Sequence, residues 1–156
     1  MKVCKICKQE KELSLFGKRA TMKDGYKNDC KECESILATK RQRSKFGLFA
    51  RLYSHQLESS RKRGNLKPEY TLNELRNKFI DNELFLDLYK KWVDSNYYKY
   101  KTPSFDRLDN TKGYSFDNIQ LVTWGINDKL GSEYLKENPN SGNFKKGCIP
   151  WNKKQK

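Results

Sequence analysis

The sequence is short of the material for a large core: 35% of its 156 residues are hydrophobic and 33% are charged. That balance favours small units that draw stability from a metal or a partner over one extensive interior. Long apolar runs are missing as well. None approaches the ~20 residues that cross a bilayer, so no membrane partner is expected. The opening stretch Met1-Lys2-Val3-Cys4-Lys5-Ile6-Cys7-Lys8 has no apolar signal region, which predicts a cytoplasmic protein. Acids are scarce: 19 Asp and Glu stand against 33 Lys and Arg, for a formal charge of +14. A charge of that size points to a polyanionic partner, with a basic protein kept soluble by its charge as the plainer reading. There is a single histidine, His55. In a reducing compartment the five cysteines argue for metal rather than disulfides.

The chain divides into four pieces. Residues 1–35 carry four of the five cysteines and read as a zinc-binding module. Residues 36–100 form a helical, basic region. Its first half, Lys40 to Lys67, holds nine Lys and Arg against one acid, Glu58, and Gly64 with Pro68 closes that helix. Thr71-Leu72-Asn73-Glu74 matches a capping box. Leu72, Leu75, Phe79 and Ile80 then fall on one helical face, and after a break at Asp81-Asn82 so do Phe85, Leu88, Tyr89 and Trp92. Both stripes are read as core. Residues 101–137 predict a hairpin followed by a helix: a short strand at Ser104–Leu108, turn formers through Asp117, a strand over Asn118–Thr123, and a helix from Trp124 to about Glu137. Residues 138–156 make a loose basic tail with five Lys and no acids. The fold class expected is α+β, built as a small modular protein.

Cys4-x-x-Cys7 and Cys30-x-x-Cys33 are two chelating pairs whose four thiolates suit tetrahedral Zn²⁺. Leu13, Phe16 and the turn Lys23-Asp24-Gly25-Tyr26 fit a hairpin arm between two knuckles, and Cys33 falls at the start of the basic helix. A redox dithiol and iron–sulfur ligation use the same residue types and are the alternatives. Four protein thiolates leave no open position for water, so the zinc organises structure rather than chemistry. Cys148 stands apart, in the tail.

A second constellation surrounds Asp106. A hairpin packed on a helix can bring Asp106 beside Asn127, and a carboxylate with an amide carbonyl are hard ligands for Mg²⁺ or Mn²⁺. Such an ion polarises a phosphodiester and stabilises the leaving oxygen. Asn118, at the start of the second strand, is placed to orient a side chain of the first. The plainer reading is a surface ion-pair cluster of Asp106, Arg107 and Asp109, with Asn118 and Asn127 as turn and capping residues.

Asp106-Arg107-Leu108-Asp109, then Gly113-Tyr114, Asn118-Ile119-Gln120-Leu121-Val122 and Asn127 resemble the HNH (His-Me finger) endonucleases, in the form common in small phage and mobile-element proteins. Tyr53-Ser54-His55-Gln56, Ser59 to Gly64 and Tyr70-Thr71-Leu72 resemble what precedes that fold. The tail element Pro150-Trp151-Asn152-Lys153 is similar to one often appended to it, and Cys-pair modules also occur at the N-termini of such nucleases. The resemblance implies a zinc knuckle or treble-clef-like module, a helical middle, and a ββα-metal motif over 101–137. It also implies a metal-dependent DNA endonuclease with Asp106 and Asn127 on Mg²⁺ or Mn²⁺, and a homing or mobile-element role, in a host cytoplasm if phage-encoded.

The chain departs from the family where the name-giving histidine should follow the strand-one Asp. That position is Arg107, which cannot accept a proton but can stabilise a developing phosphorane charge. The proton acceptor is then His55, Asp109 or bulk water through the metal shell, or the site cuts slowly, or it binds without cutting. The alternative function is a non-catalytic DNA-binding regulator on a degenerate HNH fold.

The expected partner is double-stranded DNA, bound by a protein compatible with a monomer. Lys40, Arg41, Arg43, Arg61, Lys62 and Arg63 supply cations along the helical region. In the tail, Lys145, Lys146, Lys153 and Lys154 flank Trp151, as in an arm that follows a groove, with a solubilising tail as the alternative. Tyr97, Tyr98 and Tyr100, interleaved with Lys99 and Lys101, are candidates to stack on bases or simply to form a surface loop.

Overall fold

A computed structural model of the chain describes residues 1–137. The tail residues Lys145, Lys146, Trp151, Lys153 and Lys154 lie outside the described residues. The architecture is α+β, with three two-stranded antiparallel sheets and five α-helices among the described residues.

The N-terminal unit pairs β1 (Lys2–Val3) with β2 (Glu10–Lys11), and β3 (Phe16–Lys18) with β4 (Tyr26–Cys30). The chain then enters α1 (Lys31–Arg43) directly from β4. Phe16, Cys4, Cys30 and Cys33 are buried in a small cluster of their own, with Cys7 and Tyr26 packed against it. So few apolar side chains make a core too small to stand alone, and crosslinking through a metal is what such a unit requires.

The basic stretch read as one helix is two. α1 ends at Arg43, and Ser44 caps α2 (Lys45–Arg63) by accepting from the Gly47 N–H at 3.1 Å. A Cβ on Gly47 would lie 1.9 Å from the Arg41 carbonyl oxygen, so only glycine fits this corner. The end of α1 is pinned from outside as well. The Tyr89 hydroxyl donates to the Arg43 carbonyl at 2.7 Å, and the Arg43 guanidinium lies 4.1 Å from the Tyr97 ring centroid. Gly64, with φ of 70°, ends α2 in the left-handed conformation that glycine reaches without penalty.

The capping box forms as expected, with Thr71 and Glu74 satisfying each other's backbone at the start of α3 (Leu72–Phe79). Asn82 caps α4 (Glu83–Asp94) after the break. Leu75, Phe85 and Trp92 from these helices join Leu48, Phe49 and Leu52 of α2 in the main core. The remaining element is the hairpin β5 (Pro103–Arg107) and β6 (Ile119–Thr123), followed without a break by α5 (Trp124–Glu137). In its register Phe105 faces Leu121, Asp106 faces Gln120 and Arg107 faces Ile119. Phe105 carries the hairpin into the core, with its ring 4.8 Å from Phe79 and 6.5 Å from Phe49 between centroids. Residues 36–100 and 101–137 therefore share one interior.

Candidate functional site

The four predicted cysteines converge. Their sulfurs all lie within 4.8 Å of one another, and Cys4, Cys30 and Cys33 are buried. Tetrahedral zinc with bonds of about 2.3 Å needs sulfurs within that range. Cys4 and Cys7 sit on a knuckle closed by the Lys8 N–H donating to the Cys4 carbonyl at 3.0 Å, with Lys8 at φ 59°. Cys30 ends β4, and Cys33 lies in the first turn of α1. The Cys30 N–H donates to the Cys4 sulfur at 3.3 Å.

Electrostatics point the same way. Burial raises the Cys4 thiol, but backbone donors from Cys30, Cys7 and Ile6 outweigh it and bring the group down to about 6. Cys33 is pushed up to about 12, first by its hydrogen bond to Cys30 and then by burial. One thiolate forms readily, and a second beside it is resisted. A divalent cation removes that conflict and holds all four sulfurs as thiolates. The cluster is thus positioned to hold a metal ion, and its donor set is compatible with structural zinc.

The second site is an open cleft of about 720 Å³ between α2, β5 and α5. From α2 come Arg51, His55, Gln56, Ser59 and Arg63, spaced to lie along one side of the helix. Across from them lie Arg107 of β5, and Asn127 and Asp128 of α5. Lys99 closes one end, its ammonium 4.0 Å from the Trp124 ring centroid.

Each residue predicted around the hairpin has a definite place. Arg107 is buried and lines the cleft. Its Nη1 donates to the carbonyls of Asn110 at 2.9 Å and Lys112 at 2.8 Å, and its Nη2 donates to Asn110 Oδ1 at 3.1 Å. Burial, and secondly the charge of Arg63, hold its pKa below the ordinary guanidinium range. Asn118 is buried and grips the same loop from just before β6. Its Oδ1 accepts from the Asp109 N–H at 2.8 Å, and its Nδ2 donates to the carbonyls of Asp109 at 3.1 Å and Gly113 at 2.8 Å. Rather than orienting a strand-one side chain, Asn118 holds backbone.

Asn127 lies in the cleft, and its Nδ2 donates to Ser104 Oγ and the Phe105 carbonyl, both at 3.0 Å. That carbonyl can only accept, so the amide orientation is fixed and Oδ1 is the end left for a ligand. Asp106 is not among the cleft residues. Its carboxylate accepts from Gln120 Nε2 at 3.3 Å, across the strand pair. Asp109 turns to its own loop, and hydrogen bonds from Thr111 chiefly hold its carboxyl below the usual range.

Of the predicted cations, Lys40, Arg41, Arg61, Lys62 and Arg63 are exposed, and Arg43 is half-buried against Tyr97. Arg63 reaches the cleft, with Ser59 Oγ accepting from its Nη1, while Lys62 is paired with Glu58 at 2.7 Å. Arg41 and Arg51 line a smaller depression on the other flank of α2, so Arg51 joins the two hollows. Tyr97 packs edge-on against Trp92, whereas Tyr98 and Tyr100 remain exposed. Sequence reading missed Arg51, Gln56, Ser59, Lys99 and Asp128 as cleft residues. The α2 members were detectable from their spacing with His55 and Arg63, but Lys99 and Asp128 reach the cleft only through the tertiary fold.

No known protein family, curated protein or solved structure matches the chain.

Proposed function

We propose that this chain is a DNA-binding, metal-dependent endonuclease of the HNH type, organised by zinc at its N-terminal module. The observation that carries the reading is the cleft beside the hairpin and α5. Arg51, His55, Arg63, Lys99 and Arg107 line it against a single carboxylate, Asp128. A groove so charged draws in a phosphate backbone and releases its counterions. Asn127 Oδ1 supplies one hard ligand at its wall, with Asp106 on the adjoining strand as the family resemblance requires. Bound Mg²⁺ or Mn²⁺ would polarise the phosphodiester there. His55, the one histidine of the chain, lines the cleft and is its candidate proton acceptor, since Arg107 cannot take that part.

The test is plasmid cleavage with no added metal, Mg²⁺ or Mn²⁺, comparing wild type with Asp106→Ala and Arg107→Ala. Cleavage that needs metal is expected, with a loss of at least about a hundredfold on removing Asp106, within the range that such groups contribute. Persistence of metal-dependent cutting in Asp106→Ala would sink the assignment.

A second reading is a non-catalytic DNA-binding regulator on the same scaffold. Two observations favour it: Arg107 is tied to its own loop, and Asp106 lies off the cleft. It predicts salt-sensitive duplex binding and intact plasmid in every metal.

A further inference from the structure

Gln56 is 3% exposed, and its Oε1 accepts from the Tyr70 hydroxyl at 3.2 Å. Its Nε2 is buried and has no hydrogen-bond partner among the described residues, and Gln56 is one of the residues that line the cleft. A buried N–H left without an acceptor costs about 1–3 kcal/mol, so a native fold keeps one where something else supplies the acceptor. Arg107 shows a similar surplus. A guanidinium has five N–H donors, and its hydrogen bonds to Asn110 and Lys112, with the Tyr114 hydroxyl also beside it, still leave a donor over.

The charges lack a counterpart as well. Among the described residues, no carboxylate is ion-paired with Arg51, Arg63, Lys99 or Arg107, although seven such pairs form elsewhere. Arg63 stands close enough to Arg107 for its charge to disfavour the second cation. Two guanidiniums that line the same cleft as an unpaired amide donor lack one thing, an anion with several acceptor oxygens. The one acid on the cleft, Asp128, projects from α5 on the opposite wall.

We propose that the α2 wall of the cleft is an oxyanion site that seats one backbone phosphate of duplex DNA, with Gln56 and Arg107 at its floor and Arg51, His55 and Arg63 at its rim. This rests on reading the cleft as a DNA surface, but not on cleavage. The site fixes the register of the backbone along α2, and phosphate contacts of this kind position a duplex without reading its sequence. Two of its donors are held before DNA arrives, Gln56 by Tyr70 and Arg107 by the loop carbonyls. Preorganised donors bind an anion without the entropy cost of ordering long side chains.

The experiment is an NMR titration of the zinc-loaded, full-length protein with a short duplex, without added Mg²⁺ or Mn²⁺, following the Gln56 side-chain amide and the His55 ring. In parallel, the salt dependence of duplex affinity is measured for wild type, Arg63→Ala and Gln56→Glu. Glutamate keeps an acceptor for Tyr70 but replaces the donor. Both signals should move on adding duplex. The salt slope should fall by about one in Arg63→Ala, as for the loss of one phosphate contact. Duplex affinity should drop at least tenfold in Gln56→Glu. Inorganic phosphate as a second probe should shift the Gln56 amide at millimolar concentration. Duplex binding with the Gln56 and His55 signals unmoved would overturn the proposal, as would no duplex binding at all. Movement of both signals together with an intact plasmid in every metal would keep the phosphate site and discard the nuclease.

Discussion

Arg107, at the end of β5, and Asn118, just before β6, spend their polar groups on the same loop, residues 108–113. A buried amide with three backbone partners is costly to lose, because truncation leaves those partners without theirs. Asn118→Ala should lower stability by about 1–3 kcal/mol in a denaturant melt, with loop amide exchange rising most. An unchanged melt would contradict the hydrogen-bond pattern. Sequence reading set a catalytic role for both beside a plainer one in the turn. Short polar side chains next to Asp-Asn and Lys-Gly turns serve backbone as readily as substrate, and only the fold tells which. The four cysteines were legible for the opposite reason: few arrangements other than metal ligation call for two Cys-x-x-Cys pairs so close together.

At the scale of elements, the corner between α1 and α2 is the tightest junction in the chain. Gly47→Ala would force a methyl group against the Arg41 carbonyl, where the clash is with backbone and no rotamer relieves it. Overpacking of this kind costs about 1–3 kcal/mol, and the variant should melt earlier with a displaced α1, read by chemical shifts of residues 40–47. A variant as stable as wild type would mean that the corner is not so closely packed. This junction was the main local feature not read from the sequence, where residues 36–67 looked like one basic helix. Ser44 three residues before Gly47 carried the signal, but lysines and arginines on both sides masked the cap. The breaks with stronger chemistry were legible. Gly64 ends α2, the Thr71–Glu74 box starts α3 and Asn82 starts α4. The hairpin and α5 were legible from alternation and turn formers. The cleft was not, because it needs α2 and α5 to line one hollow although residues 64–123 lie between them in the chain.

The molecule as a whole has two separate interiors among the described residues. The cysteine cluster holds the first, and aromatic packing around Phe49, Phe85 and Phe105 holds the second. Removing the metal should therefore act unevenly. With a strong chelator, residues 1–30 should lose protection from hydrogen exchange, while the amides of Leu52, Leu75, Phe85 and Phe105 keep theirs. Loss of protection throughout would mean that the two interiors form one cooperative unit. The main interior has a further property. Its helices come early in the chain, while Phe105 and Ile119, which complete it, come late. Contacts across such intervals are slow to close, since a long loop must be ordered before they form. On the ribosome α2, α3 and α4 emerge with Phe49, Phe79 and Phe85 still uncovered, waiting for the hairpin. The cysteine module, with ligands all within the first 33 residues, needs none of that later chain. Synthesis thus yields a head already able to take up a metal ahead of a sticky, unfinished body, and that interval is when the protein is most exposed to aggregation and to proteases.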